Sequence, residues 1–387
     1  MKFTVDQNAF WRGIDTVLDA VASKPAQPVL SNLLIVAGDG ALSLCAANLD
    51  LSMRTKVVAT VTQPGRVTVP AKTLGDITRE WPESELNVVV EEGRLVLSGR
   101  LGSGEGGEGR YSLAVTPADQ FPSMPESIDG AVVDFTGSSQ FDGQLLRTMI
   151  ERTSFSVSKD ETRPVLNGVL WRIDPEFMAM VATDGSRLAE SRQLLNGDEG
   201  VVSGESAEVI LPPQVCSQLA KLLNANSLTR AIVGDSQVLF DLGETQLLSR
   251  LIEGPYVDYE QVIPKENEKR LNIDIERLQP AVRRVSILSS SYTHQIRLKM
   301  EDGTLELTAS SQELGGDARE VIPAGYTGEP LEVAYNAQYL LEILRKLGSG
   351  DVAFELRDSV TASIVRPGEA EEGSDFYYLL MPMRPST

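Results

Sequence analysis

The sequence predicts an α+β protein made of three similar domains, each with antiparallel strands and two helices. The first observation is a repeated helix start. Asp6, Asp142 and Asp274 each precede apolar residues at helical spacing, 136 and 132 residues apart in a chain of 387. The second observation is another helix that recurs within each third of the chain. The third is a set of strand pairs that lie between and after these helices.

Each third is predicted to open with a strand that is followed by one helix, and to contain a second helix. In the first copy, Phe10, Ile14 and Val17 form the apolar face of the opening helix. The second helix follows a short strand, at 66–69, 208–211 or 331–335, and opens at Pro70, Pro212 or Asn336. We expect the six helices over 7–22, 72–80, 142–156, 213–224, 276–287 and 337–347.

Strand pairs fill the remainder of each third. Asp-Gly dipeptides at 39–40 and 302–303 are strong hairpin signals. Between the helices, the predicted pairs are 32–36 with 41–45, 168–173 with 177–181, and 296–300 with 304–307. After the second helix, further strands are predicted in 86–97 and 111–115, in 231–240 and 246–252, and in 352–364 and 376–380.

Loops and linkers set the domain limits. Residues 122–130 and the charged run 264–270 are typical of linkers, so we predict domains over 1–130, 131–266 and 267–387. The glycine-rich run 102–109 lacks a Gly-Lys-Ser/Thr ending and opens no helix, which favours a hairpin tip over a phosphate loop. Asp184 is interpreted as a turn residue because no second carboxylate lies nearby in sequence to make a metal or general-base site.

Composition argues against most catalytic functions. Hydrophobic residues make up 42% of the chain, and no apolar run approaches the ~18 residues that would span a bilayer. His294 is the single histidine, which nearly excludes imidazole-based catalysis and His-rich metal sites. Cys45 and Cys216 are expected to be buried thiols of a cytoplasmic protein, and the segment 1–6 lacks a signal-peptide pattern. No catalytic residue, metal or cofactor is expected.

The distribution of charge leaves two interpretations open. The chain carries 35 basic and 55 acidic residues, a net charge of −20, which argues against nucleic-acid binding. The six predicted helices nevertheless carry eleven basic and eight acidic residues, a net charge of +3. These helices either present ordinary solvated faces or form a weak, non-specific surface for phosphates.

Several motifs together resemble the bacterial beta sliding clamp family, the processivity subunits of DNA polymerase III. They are Met1–Val5, Leu166–Gly168, Ala182–Ala189, Asp258–Tyr259, Ile287–Ser289 and Met381–Arg384. The resemblance covers essentially the whole chain. It implies a DNA-clamp fold with sheets outside and helices inside, and a head-to-tail homodimer that closes into a ring around duplex DNA.

The resemblance also implies a hydrophobic pocket for short peptide motifs of the replicative polymerase, the clamp loader and repair polymerases. Val257 and Ala362 depart from the family pattern, which often has proline and serine there, so the preference for partners is open. The implied pocket residues are Leu166, Thr183, Gly185, Ser186, Arg187, Leu188, Val257, Val262, Tyr326, Val360, Leu379, Met381, Pro382, Met383 and Arg384.

Two further surfaces follow from the same resemblance. The DNA-contact candidates are Lys24, Lys72, Arg79, Arg152 and Arg163, whereas Gln214 replaces a basic residue found in some members. The candidates for the dimer interface are Arg110 and Tyr111 on one side and Ile287 and Leu288 on the other. The alternatives to a clamp are a three-repeat hydrolase or nucleotide-binding enzyme, and a scaffold that binds only proteins.

Overall fold

A computed structural model describes residues 1–22, 27–102, 107–136, 142–195, 202–203, 206–223, 228–369 and 373–384. Within these residues, each third of the chain has the same order of nine strands and two helices. The predicted α+β fold with three repeats is confirmed. The longest helices of the described chain have twelve residues, and none is long and apolar enough to cross a membrane.

The bounds of the elements show the repeat directly. The first repeat contains β1 (Lys2–Asp6), α1 (Gln7–Leu18), β2 (Asn32–Gly38), β3 (Ala41–Ala47), β4 (Leu51–Val58), β5 (Thr60–Gln63), β6 (Gly65–Pro70), α2 (Ala71–Glu80), β7 (Glu85–Glu91), β8 (Arg94–Arg100) and β9 (Glu108–Ala114). The second contains β10 (Ala131–Asp134), α3 (Gly143–Thr153), β11 (Val169–Ile173), β12 (Phe177–Thr183), β13 (Arg187–Leu194), β14 (Val202–Ser203), β15 (Ala207–Leu211), α4 (Pro213–Leu222), β16 (Arg230–Val233), β17 (Gln237–Asp241) and β18 (Thr245–Arg250). The third contains β19 (Lys269–Asp274), α5 (Ile275–Ser286), β20 (Gln295–Glu301), β21 (Thr304–Ser311), β22 (Gly316–Pro323), β23 (Gly325–Thr327), β24 (Leu331–Asn336), α6 (Ala337–Leu347), β25 (Asp351–Leu356), β26 (Ser363–Pro367) and β27 (Ser374–Leu380).

Helix starts follow from side-chain capping. The Asp6 carboxylate accepts a hydrogen bond from the backbone N–H of Ala9 at 2.9 Å, and Asp274 caps α5 in the same way. Asn336 caps α6. All six predicted helices are present, although α1 ends at Leu18 and α3 at Thr153, a few residues before the predicted ends.

The strands form four antiparallel sheets. Two of them, β5-β1-β7-β8-β9 and β22-β21-β20-β24, each contain strands of a single repeat. Two sheets of nine strands join neighbouring repeats. In the first, β4 pairs with β18, a junction that we call the first seam. In the second, β13 pairs with β27, which we call the second seam.

The chain forms two compact units. One consists of Met1–Gln144, Gly200–Glu205 and Ser217–Leu251, and the other of Leu145–Glu199, Ser206–Cys216 and Ile252–Thr387. Each unit holds one seam, because the middle repeat contributes strands to both nine-stranded sheets. The predicted domain boundaries near 130 and 266 stay a prediction.

Strand alternation places two different apolar clusters on the two faces of the sheet at the second seam. Along β27, Phe376, Tyr378 and Leu380 pack with α5 and α6 in the main core, whereas Tyr377 and Leu379 belong to a second cluster. This second cluster lies on the face opposite the helices. Two of the predicted pocket residues, Leu188 and Leu379, belong to it.

The fourth and fifth strands of each repeat were not predicted from the sequence. Only one strand pair was predicted between the first helix and the short strand that leads into the second helix, whereas β4 and β5, β13 and β14, and β22 and β23 follow that pair. The strand β13 shows why: Glu190, Ser191 and Gln193 are polar but buried, because β13 is covered on both faces and paired on both edges. Period-two alternation of apolar and polar residues is a signal of half-buried strands only.

Candidate functional site

The floor of the candidate site is the apolar cluster at the second seam. Buried side chains from β11, β12, β13, β26 and β27 meet there with residues that follow β18. Leu188 and Leu379, both predicted pocket residues, lie opposite each other in the seam register. The buried members are Leu170, Val181, Leu188, Ile210, Tyr259, Ala362, Ile364, Tyr377 and Leu379.

Residues 252–263, which we call the covering segment, hold one wall of the site. Its start is tied to β15 by a hydrogen bond from the Ile252 N–H to the Ile210 carbonyl at 3.0 Å. The Tyr256 hydroxyl accepts a hydrogen bond from the backbone N–H of Thr183. The Tyr259 hydroxyl accepts one from Arg172, and burial raises the pKa of Tyr259 to about 12. Tyrosine anchors therefore fix this segment over the sheet.

Four apolar side chains remain exposed on the segments that build this floor. Val257 and Val262 lie on the covering segment, Val360 lies two residues before the buried Ala362, and Met381 directly follows β27. They are 41%, 54%, 69% and 42% exposed, respectively. Because apolar side chains grouped on one part of a surface mark interaction sites, these residues make a suitable mouth for an apolar ligand.

The turn between β12 and β13 forms a second wall. The Asp184 carboxylate accepts hydrogen bonds from the backbone N–H groups of Ser186 and Arg187, at 2.8 and 3.1 Å, as expected of a turn residue. Thr183 donates to the Arg187 carbonyl at 2.7 Å. Gly185 has a φ of +89°, a conformation that glycine adopts without strain.

The C-terminal tail, Met381–Arg384, is held at two points. The Met381 N–H donates to the Ser186 carbonyl at 2.9 Å, and the Met383 N–H donates to the Ala334 carbonyl at 2.8 Å. Pro382 lies between them and has no N–H to satisfy. The tail therefore continues the line of β27 past the turn, with Met381 and Arg384 exposed.

Arg187 is placed differently from an exposed binding residue. Its guanidinium is buried and forms ion pairs with Asp184 and with Glu342 of α6. It also donates to the Phe155 carbonyl at 2.9 Å and lies 4.4 Å from the ring centre of Tyr339. Phe155, Tyr339 and Glu342 were not predicted from the sequence, because no local motif connects them with the turn.

Two other predicted residues are placed apart from their expected positions. Tyr326, expected at the rim, is buried in the main core of the third repeat, where its hydroxyl donates to the Glu329 carbonyl at 2.6 Å. Arg163, predicted to contact DNA, instead lies beside Gly185, with its Nη1 atom 3.6 Å from the position of an added Cβ. Leu166 is buried in a short 3-10 helix over Pro164–Asn167.

A buried acid lies beneath the covering segment. Glu190 accepts a hydrogen bond from the Tyr377 hydroxyl, and its burial raises the pKa of this carboxyl above its ordinary value. The same burial, together with the nearby Glu190 charge, raises the pKa of Tyr377. The polar pair is therefore satisfied by a hydrogen bond but is costly to ionise further.

The DNA-contact candidates differ in how free their charges are. Lys72 is exposed on α2, whereas Arg79 shares its charge with Asp76 at 3.0 Å and with Glu80. Arg152, in the last turn of α3, lies over the Phe376 ring at 3.7 Å. Lys24 lies outside the described residues.

The dimer-interface candidates lie at one sheet edge and one helix end. Arg110 and Tyr111 are on the edge strand β9, where Tyr111 packs against Trp81 with ring centres 5.2 Å apart. Ile287 and Leu288 follow the end of α5, and Ile287 is 71% exposed. An added Cβ on Gly316 of the edge strand β22 would lie 3.3 Å from the Leu288 side chain.

Comparison with known families decides what this arrangement is. Three family models match consecutive parts of the chain: the DNA polymerase III beta subunit N-terminal domain at residues 1–125, its central domain at 140–258 and its C-terminal domain at 260–384. The chain belongs to the DNA polymerase III beta-subunit family. The resemblance of its motifs to the beta sliding clamp family is therefore confirmed.

Full-length relatives agree with this assignment. The beta sliding clamp of Pseudomonas aeruginosa is 32% identical over 99% of this chain and 100% of the relative, and that of Escherichia coli K12 is 31% identical over 99% and 100%. A solved Pseudomonas aeruginosa clamp bound to griselimycin superposes with a TM-score of 0.88 at 31% identity and covers both chains fully. The Thermotoga maritima beta subunit, at 22% identity and a TM-score of 0.86, shares the fold over the full length of both chains.

Proposed function

We propose that two copies of this clamp close head to tail into a ring around duplex DNA, and that the cleft at the second seam tethers polymerases and other replication and repair proteins. The observation that carries this proposal is a pairing rule repeated within the chain. The ring acts by topology, without catalysis. We also propose that its three domains meet near residues 130 and 266.

The pairing rule comes from the two seams. At the first, the fourth strand of the first repeat, β4, pairs with the last strand of the second, β18. At the second, the fourth strand of the second repeat, β13, pairs with the last strand of the third, β27. By the same rule, β22 of the third repeat needs the last strand of another first repeat, and that strand is β9.

Both strands are available for this pairing. In the described residues, β9 and β22 each form an edge of their sheet. Unpaired edges in a soluble protein are protected or used for association. Pairing β22 of one copy with β9 of another gives two identical seams in a dimer, and two copies of three repeats complete the ring.

The side chains at these edges suit a seam between copies. Tyr111 on β9 and Ile287 and Leu288 after α5 supply apolar surface. Arg110 on β9 and Asp317 on β22 are exposed and supply opposite charges. An apolar patch rimmed by complementary charges is typical of a specific dimer interface.

Four basic residues named from the family resemblance then acquire a role inside the ring. Lys24, Lys72, Arg79 and Arg152 are proposed to attract phosphates without reading base sequence. Weak, non-specific contacts allow sliding, and the net charge of −20 discourages DNA from binding to other surfaces. Arg163 is less suited to this role because it lies beside Gly185 of the candidate pocket.

The cleft at the second seam is proposed to bind an extended peptide with leucine and phenylalanine side chains. Its buried floor and four exposed apolar residues offer contacts to such side chains. Peptides of this kind gain most of their affinity from a few buried anchors. We propose that the replicative polymerase, the clamp loader and repair polymerases carry such peptides.

DNA topology tests the ring. A clamp placed by its loader on nicked circular DNA is expected to stay bound during gel filtration and to slide off when the DNA is linearised. Retention on both forms would mean direct binding instead of encirclement. In solution without DNA, the mass should be near twice the 42.0 kDa of the chain, and a strict monomer would contradict ring closure.

A further inference from the structure

The backbones of the two seams match in detail. At the first, the Asn48 side chain accepts hydrogen bonds from the N–H groups of Asp50 and Leu51, as Asp184 does from Ser186 and Arg187 at the second. The Arg250 N–H donates to the Asp50 carbonyl at 2.9 Å, and the Met381 N–H donates to the Ser186 carbonyl at the same distance. Leu51 and Arg187 therefore occupy equivalent positions.

These two equivalent residues are chemically opposite. Leu51 is 2% exposed and Arg187 is 7% exposed, so both are buried. The first seam shows that a leucine is sufficient to complete the pairing. A buried ion pair often adds no stability over a well-packed apolar residue. Arg187 therefore calls for an explanation other than closing the seam.

The contacts of Arg187 supply this explanation. It joins three separate elements: the β12–β13 turn through Asp184, the 3-10 helix Ser154–Ser156 through the Phe155 carbonyl, and α6 through Glu342. The Phe155 ring, on the 3-10 helix, has its centre 5.2 Å from the guanidinium carbon. The Tyr339 ring, on α6, has its centre 4.4 Å from the same atom. The planar guanidinium is suited to hold several acceptors and rings at once.

The C-terminal tail is held by one of these elements, the turn, and by the strand that leads into another, α6. The turn provides the Ser186 carbonyl to the Met381 N–H, and β24, which leads directly into α6, provides the Ala334 carbonyl to the Met383 N–H. The distance between the two anchor points is therefore set by how the turn and α6 are joined. Arg187 makes that connection.

We infer that Arg187 is a positioning residue, which fixes the tail Met381–Arg384 as a wall of the peptide cleft by locking the turn to α6. The inference rests on the proposed peptide-binding function. It assigns to Arg187 a role behind the cleft, because its guanidinium is already engaged by Asp184, Glu342 and Phe155.

The first seam provides the test variant. The double substitution D184N/R187L copies the Asn48 and Leu51 pair of the first seam, so the seam is expected to form and the dimer mass to stay unchanged. Hydrogen–deuterium exchange of the C-terminal peptic fragment should become faster, since the Met381 and Met383 amides lose a fixed acceptor geometry. Affinity for a fluorescein-labelled synthetic peptide with leucine and phenylalanine side chains should fall at least about tenfold.

Two further variants separate positioning from direct contact. V360S removes an exposed apolar wall residue, so it should weaken peptide binding while the exchange of the tail stays as in the unmodified chain. R187K retains a charge but has a single ammonium group in place of the fork, so its exchange and affinity should lie between those of the unmodified chain and the double variant.

The outcomes are distinct. Unchanged tail exchange in D184N/R187L would overturn the positioning role, even if affinity falls. Faster exchange with unchanged affinity would show that the tail is not a wall of the cleft, and would also overturn the inference. If the unmodified chain fails to bind the peptide, the proposed peptide site is wrong, while the exchange data still decide whether Arg187 holds the tail.

Discussion

At the first seam, a segment that follows β9 covers the sheet with Phe121, Met124 and Ile128, which pack on apolar clusters of that unit. At the second, the covering segment after β18 packs Tyr256, Tyr259 and Ile263 in the same manner. The two regions share a backbone pattern, strand pairing and a covering segment. They differ in what remains exposed.

The second seam leaves apolar side chains at its surface, whereas the equivalent part of the first leaves few. The exposed apolar residues at the second seam are Val257, Val262, Val360 and Met381. At the first seam, Leu49 is exposed on the turn between β3 and β4. Among described residues across the first seam, buried Thr55 and Thr245 share a hydrogen bond of 2.8 Å. We therefore expect the capacity to bind a peptide to reside in a few side chains on a repeated backbone, which a comparison of folds alone would not reveal.

A third region completes the comparison. The face of the sheet β22-β21-β20-β24 opposite the helices carries ion pairs, among them Arg319 with Glu306 at 2.7 Å and Arg297 with Glu332. Exposed pairs of this kind contribute little to stability but keep a surface soluble. The apolar cluster at the second seam, by contrast, is covered by a following segment.

The largest effect is expected at the seam between copies, which no covalent link supports. I287D should convert the dimer to a monomer, because a carboxylate would be buried in an apolar interface, while the exposure of Ile287 leaves the folded chain intact. Analytical ultracentrifugation measures the mass. V58D is the matched control, since Val58 is 85% exposed on β4, away from the proposed seam. A dimeric I287D variant would reject this interface.

The second prediction sets the two seams of the chain against each other. V360D should reduce affinity for the labelled peptide by more than about tenfold, because it places a charge at the mouth of an apolar cleft. L49D makes the same change at the first seam and should leave affinity unchanged. Fluorescence anisotropy compares both with the unmodified chain. Equal losses would show that the first seam also binds the peptide.

The third prediction concerns the polar contact at the first seam. T55V leaves the buried Thr245 hydroxyl without its partner and should lower the free energy of unfolding by about 1 kcal/mol. The double variant T55V/T245V removes both groups and should recover most of that loss. Urea denaturation provides the values. A double variant less stable than T55V would mean that the hydroxyl pair is more than a satisfied buried contact.

The smallest effect is a pH dependence at the second seam. Because the pKa of Glu190 is raised in the folded chain, its contribution to stability is complete below its ordinary range and declines as the pH rises through the raised pKa. E190Q retains an acceptor for Tyr377 and should lose this dependence. As the pH rises from 4 to 8, the urea midpoint of the unmodified chain should therefore fall relative to that of E190Q. A constant difference would contradict the assignment.

Much of the fold could be predicted because its signals are local. Helix starts depend on a capping side chain and the next turn, and the predictions at Asp6 and Asp274 are confirmed. Hairpins depend on a few turn residues, such as Asp39 and Gly40, which both have positive φ. The predicted ends of α1 and α3 were less accurate, because the residue at which a helix ends also depends on how the residues after it pack.

The site was predictable only in part. The structure brings Leu188 and Leu379, both named from motif resemblance, into one apolar cluster, because their motifs lie on segments that meet at the seam. Tyr326, expected at the rim, lies in the main core, and Tyr339, which contacts Arg187, was not among the predicted residues. The sequence alone does not distinguish these two tyrosines, which are thirteen residues apart. In the structure, Tyr326 lies on the strand β23 and Tyr339 lies on the helix α6.

By itself, the sequence determined the threefold repetition, the helices and hairpins, and the family, since these are carried by residue spacing and short motifs. Tertiary structure decided which strands join the repeats, which polar residues such as Glu190 and Arg187 become buried, and which valines remain exposed. Those outcomes depend on segments far apart in the chain, where a side chain's environment is set by its neighbours in space and not by its neighbours in sequence.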